Sequence, residues 1–228
     1  ESLQNSEPTM PIVSIITETP NLFNYDTGIF VMGTLFDEDN PDYSGNYTAR
    51  GDNWERTAYM ELLEPNNEVA VSQSIGMKIH GAKRRREPQK SIRILAREEY
   101  GVNKIYHDVF PDRDVREFKR LILRSRSASS SDALINDILS HRILDGQINA
   151  LNQAMRPAIV YVNGEYYGIE DLVEKQDRFF FEPYTGDHPD SIFVIEGYSP
   201  MIIEGGDAAE AAFNELMSFV TDHDLSVD

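Results

Sequence analysis

The chain has 228 residues, 40% of them hydrophobic and including 11 Tyr and 11 Phe, which is enough apolar material for a core and argues against wholesale disorder. Its 21 Lys and Arg face 39 Asp and Glu, a formal charge of −18, so general nucleic-acid binding is disfavoured, although a local basic patch can still take a phosphate-bearing ligand. It has no cysteine, which removes disulfides, thiolate zinc sites and cysteine nucleophiles together, and no apolar run approaches membrane-spanning length.

In chain order, residues 1–10 are polar and read as a flexible terminus. The β-branched run Pro11–Thr17 predicts a buried strand, and Gly28–Met32 a second one. Asp37–Asn53, rich in Asp, Asn, Gly and Tyr, predicts a long loop. Ala58–Leu63, the turn Pro65-Asn66-Asn67 and Glu68–Ser72 form a hairpin pattern. Ile75–His80 and Ser91–Ala96 alternate apolar and polar residues, as half-buried strands do, with a basic loop at 81–89 between them. Phe118–Leu123 predicts a further strand, 125–131 a serine-rich loop, and Asp132–Leu144 a helix from its apolar spacing. Ala158–Val162 and Glu165–Ile169 flank Asn163-Gly164, a pair suited to a type I′ hairpin turn. The chain is expected to turn helical from Leu172, to form a short strand at 191–195, and to start a last helix with an N-cap at Asp207. The class is α+β, with an antiparallel, strand-rich first half.

Few residues carry chemistry. The five histidines are scattered, without metal-ligand spacing, and no Walker A, GxGxxG or GxSxG sequence is present. The acidic stretch Asp37–Asp42 has calcium-type ligands but no EF-hand spacing, and a solvated loop explains it better. Arg50-Gly51-Asp52 spells an adhesion tripeptide that three residues reach easily by chance. Lys83-Arg84-Arg85-Arg86 is the one dense positive cluster on a very acidic chain, and it leads through Pro88 to Lys90 at the start of a strand. Lys90 shares strand parity with Ile92 and Ile94, which sets it at the end of a core face, over a cleft. A strand lysine beside loop arginines suits phosphate, by point charge and by forked donors, but a solvated loop accounts equally well for the cluster. Glu174 and Asp177 fall at the expected helix start, where acids are favoured in any case by the helix dipole; the alternative is that Glu174 pairs with a lysine and aims it at a phosphate.

An ordered series of segments resembles CotH-type (spore coat protein H) kinase-like domains. It comprises Pro11–Thr17, Asn21-Leu22-Phe23, Asp26–Ile29, Asn53–Arg56, Gly76–Gly81, Pro88–Arg93, Leu123-Arg124, Arg156-Pro157, Asn163–Gly168, Leu172–Asp177 and Glu196-Gly197. The resemblance implies an atypical protein-kinase-like fold, with a largely antiparallel N-lobe sheet, hairpins and flanking helices, and with the C-lobe mostly absent. It implies ATP with Mg or Mn as cofactors, a protein substrate such as a Ser-rich coat or surface protein, and a spore-coat or bacterial cell-surface location. It matches Lys90 to the family's strand lysine, Arg85 to its loop arginine, Glu174 to its helix glutamate and Arg124 to the arginine after the central strand, as nucleotide-binding residues.

Ser125-Arg126-Ser127 departs from the Asn and Asp that the family shows after this arginine. The catalytic Asp and the metal-binding Asp are expected after Asp228, so no catalytic or metal residue is assigned in this chain. The expected organisation is a flexible 1–10, a kinase-like region 11–198, and the first helix of a truncated C-terminal lobe at 199–228. The competing readings are a non-catalytic surface or adhesion module and a pseudokinase or other ATP-dependent transferase.

Overall fold

The computed structural model describes residues 9–126, 136–147, 150–197 and 201–223. The chain forms two compact units that divide between Lys175 and Gln176. The sequence reading puts a boundary at 198/199. The division falls where the last strand of the first unit ends and Asp177 caps a new helix.

In the first unit, strand β1 (Ile12–Ile16) turns Val13 and Ile15 inward, followed by the short helix α1 (Thr19–Phe23). Strands β2 (Arg56–Leu63) and β3 (Val69–Ile79) make the expected hairpin, with the turn residue Asn67 at φ 62°. β3 is one strand across both stretches read as separate strands. Next come β4 (Ile92–Leu95), the small pair β5 (Ile105–Tyr106) and β6 (Glu117–Phe118), and β7 (Arg120–Ser125). Helix α2 (Asn136–Leu144) is followed by β8 (Met155–Val162) and β9 (Glu165–Glu174). Asn163 and Gly164, at φ 52° and 82°, turn between the last two as the type I′ reading requires.

Seven strands close a barrel in the order β1-β2-β3-β4-β7-β9-β8. Six neighbour pairs are antiparallel, and the parallel pair β1–β8, with Ile12 opposite Ile159, closes the ring. The expected kinase-like, largely antiparallel N-lobe sheet is therefore corrected to a closed barrel. Alternate residues of every strand point to one interior, and closure leaves no sheet edge to protect. Ile15, Met60, Ile75, Met77, Ile94, Leu121, Leu123 and Val160 fill it, each nearly inaccessible to solvent. Each such side chain contributes about 1.5–3 kcal/mol of transfer free energy. Outside the barrel, Ile122, Met155 and Val173 form a second apolar cluster against which Ile138 of α2 packs.

Three local expectations are corrected. Gly28–Met32 is not a strand: the amides of Gly28, Ile29 and Phe30 bond to the carbonyls of Asn24, Asn21 and Leu22, which uses up the donors a ladder would need. The chain does not turn helical at Leu172: β9 continues to Glu174, because Leu172 pairs with Leu123 inside while Val173 packs outside. The last helix is capped by Gly205, and Asp207 lies within its first turn. Of the serine-rich loop, 127–131 lie outside the described residues, as do 132–135 of the expected helix.

The second unit holds helix α3 (Arg178–Thr185), the pair β10 (Val194–Glu196) and β11 (Met201–Glu204), and helix α4 (Gly206–Asp222). Asp177 accepts a hydrogen bond from Phe179 N at 3.0 Å as the N-cap of α3. Among the described residues no helix is long and apolar enough to cross a membrane.

Candidate functional site

The site starts from the basic loop. Residues 83–86 wind into one tight 3-10 turn, which points successive arginines in different directions. Arg86 is exposed and pairs with Asp42, whereas Arg85 turns inward and is 6% exposed. Its Nε donates to Gly81 O (2.6 Å) and its Nη1 to Ala49 O (2.8 Å) and Tyr47 O (3.3 Å), leaving Nη2 with no partner among the described residues. No carboxylate among them pairs with this guanidinium. Burial, then Arg50 and Arg93, lower its pKa to about 10.

Lys90 lies two residues before β4 and is 4% exposed. Its ammonium donates to Arg85 O (2.9 Å) and Glu87 O (2.8 Å) and stands 4.3 Å over the ring of Tyr47. Burial lowers its pKa to about 8, with the Glu87 carboxylate opposing. Two buried cations are thus held by carbonyl dipoles and an aromatic face rather than by carboxylates.

His80 reports the local field. Its Nδ1 accepts from Arg93 Nη2 at 3.1 Å. Burial first, then the charges of Arg93, Lys175, Arg85 and Arg124, push its pKa down to about 3. The imidazole is therefore neutral throughout the physiological range. Beside it a cleft is lined by Tyr47, Arg50, Trp54, Lys78, Arg85 and Arg93, with Ile29 and Ile79 as apolar wall and no acidic side chain in the lining. Lys78 is neutralised there by Asp52 (2.7 Å) and Glu55 (3.0 Å). Four cations converge on one cleft of a chain whose formal charge is −18.

The four residues singled out from the sequence are not all brought together. Arg85 and Lys90 adjoin each other. Arg124, on β7 opposite Asp171, contributes its charge at His80. Glu174 does not pair with Lys90, because it ends a strand rather than opening a helix. Its Oε2 accepts from Ala154 N at 2.8 Å, and it stands opposite Leu121, at the barrel end away from Lys90. Along β9, Glu174 lies four residues, about 13 Å of strand, from Glu170, the residue at Lys90's end.

The carboxyl at Lys90's end of the barrel is Glu170, opposite Ser125, whose amide bonds to Ser91 Oγ at 2.9 Å. Glu170 is fully buried; among the described residues its carboxyl oxygens lack a hydrogen bond of good geometry, and the Gln89 amide is the polar group that works to steady its charged form. Burial, and secondarily the neighbouring Asp171, raise its pKa to about 8. The signal for it lay in the sequence: Glu170 shares parity with Leu172, an acid where the pattern demands an apolar residue. Tyr47 and Tyr167 had no such signal, since each reaches Lys90 from a distant segment.

Oxygen ligands for a metal are a different matter. Among the described residues no group of three or more His, Asp or Glu side chains could hold an ion. Cations held without counter-carboxylates fit a polyphosphate instead. Among curated proteins, none matches the chain. The family model described as CotH kinase protein matches residues 77–215, more than half of the chain, from within β3 into α4. The chain therefore belongs to the CotH kinase protein family.

Proposed function

We propose that this chain provides the nucleotide-phosphate-binding part of an ATP-dependent, protein-kinase-like phosphotransferase that acts on a spore-coat or cell-surface protein. One observation carries the reading. Arg85 and Lys90, both buried, donate their hydrogen bonds among the described residues to backbone carbonyls, with a tyrosine face under Lys90, next to a cleft lined by further cations. A buried cation without a carboxylate is poised to gain from an incoming anion, because its desolvation cost is already met by the fold. A polyphosphate would take Lys90 as a point charge and the remaining donor of Arg85 as one arm of a fork, while Arg124 adds to the field. The aromatic and apolar wall of Trp54, Tyr47 and Ile29 suits the body of a nucleotide.

ATP, when bound, supplies the phosphoryl group; this chain's residues bind and orient its phosphates. Divalent metal is implied by the family, and no step through it is derived from the described residues. Glu174 has no part in the proposed site, its carboxylate being committed to the backbone of Ala154. The adhesion reading draws no support from Arg50-Gly51-Asp52, since Asp52 is paired with Lys78 (2.7 Å) and Arg97 (3.4 Å).

Calorimetric titration of ATP, with and without magnesium, tests the proposal. Lys90→Met is expected to weaken binding at least tenfold. Equal affinity of the two proteins would overturn the assignment.

A further inference from the structure

The backbone of Lys90 is held in an unusual way. Its amide and carbonyl both bond to one side-chain atom: Lys90 N donates to Tyr167 Oη at 2.6 Å, and Tyr167 Oη donates to Lys90 O at 2.8 Å. A phenol has one donor hydrogen, and here it is spent on that carbonyl. The preceding residue is tied to the same place, since Gln89 Nε2 donates to Tyr167 O at 3.3 Å. Gly168 makes this approach possible. At φ 150° it turns its bare α-carbon to the Gln89 amide, and a Cβ built there would lie 1.9 Å from Gln89 Nε2.

Tyr167 is also the residue that the β8–β9 ladder skips. Val160 pairs with Gly168 and Tyr161 with Tyr166, so the register shifts around Tyr167. Such a bulge re-aims one side chain out of the regular alternation. The re-aimed phenol points at Lys90, with Phe30 beside its ring at a centroid distance of 6.0 Å.

We propose that Tyr167 and Gly168 are positioning residues for Lys90: the bulge, the bidentate phenol and the cleared space at Gly168 fix where the lysine side chain starts, and so where its ammonium stands. The proposal rests on the nucleotide reading for its purpose, but not for its geometry. With its backbone fastened to β9 and its ammonium fastened to Arg85 O and Glu87 O, Lys90 spans a closed frame under the Tyr47 ring. Releasing the backbone end lets the side chain tilt toward water, where an ammonium regains hydration and its ordinary proton affinity.

The experiment uses the 228-residue chain, Tyr167→Phe, Gly168→Ala and the control Phe30→Leu, which removes the neighbouring ring but keeps the phenol. Competitive acylation of lysines across pH, with each site quantified by mass spectrometry, reads the titration of Lys90, and ATP calorimetry reads affinity. Wild type and Phe30→Leu should titrate near pH 8, the ammonium being buried and opposed only in part by Glu87. Tyr167→Phe and Gly168→Ala should titrate at least one pH unit higher and bind ATP about tenfold more weakly. A role in stability alone would lower the melting temperature without moving the Lys90 titration. Identical Lys90 titration in wild type and Tyr167→Phe would overturn the proposal. Should wild type fail to bind ATP while the titrations shift as stated, the positioning role stands and the nucleotide reading falls.

Discussion

Two charged clusters of the first unit solve the same problem in opposite ways. At Glu64, the Arg156 guanidinium engages both carboxylate oxygens, His107 Nε2 lies 2.8 Å from Oε1, and Arg156 Nη1 also donates to Val109 O at 3.1 Å. Although burial works against it, the Glu64 carboxyl is held below its ordinary pKa by Arg156 and His107. The Glu64 carboxylate and the Arg156 guanidinium compensate each other there. At Arg85 and Lys90 the cations have carbonyls and a ring, and the fold keeps both groups below their ordinary proton affinity. A compensated cluster is finished within the chain, whereas an uncompensated one stands to gain from an anion. The difference is the physical ground for proposing Arg85 and Lys90, rather than Arg156, as binding charge.

The largest effect is expected at the compensated cluster. Glu64→Ala leaves the Arg156 guanidinium without its counter-charge and should cost about 3 kcal/mol in urea unfolding, with ATP affinity unchanged.

Glu170 comes next, with the opposite sign. Its folded pKa of about 8 lies above the ordinary 4.5, so the folded state keeps a proton that the unfolded chain releases. The associated stability is complete below about pH 4.5 and is lost as pH rises toward 8. At pH 7 the penalty is about 3 kcal/mol, from ~1.36 kcal/mol per unit. Glu170→Gln should therefore stabilise the protein by about 2 kcal/mol at pH 7, and the two unfolding curves should converge near pH 4.5. An equal difference at both pH values would contradict the buried neutral carboxyl.

A smaller effect concerns the ligand. A bound phosphate favours protonated Lys90, so ATP affinity should fall about tenfold between pH 8 and 9.5 as the free lysine loses its proton. The Lys90→Met protein should show a flat profile over that range. A steep profile in that variant would assign the titration to another group.

How much of this was legible from the sequence follows the range of the contacts. The two hairpins were readable because Asn67 and Asn163-Gly164 carry their turn chemistry locally. The closing pair β1–β8 was not, since Ile12 meets Ile159 through a parallel contact that no local pattern encodes. The helix expected from Leu172 failed because Leu172 and Val173 are buried on opposite faces, which reads as continuous apolar sequence rather than as alternation. Charge clustering singled out Arg85 and Lys90 as candidates. It could not show that Lys90 is seated on Tyr47, nor that Tyr167 holds its backbone from 77 positions away. Glu174 does not meet Lys90, because the expected pairing depended on a helix that does not form there.

The most direct test of the central claim is a paired measurement on Arg85→Met and Arg156→Met: ATP affinity by calorimetry and unfolding free energy in urea. Arg85→Met should lose at least tenfold in affinity and keep most of its stability. Arg156→Met should lose about 2 kcal/mol of stability and keep its affinity, because its charge is spent on Glu64. Loss of affinity in Arg156→Met with none in Arg85→Met would contradict the account.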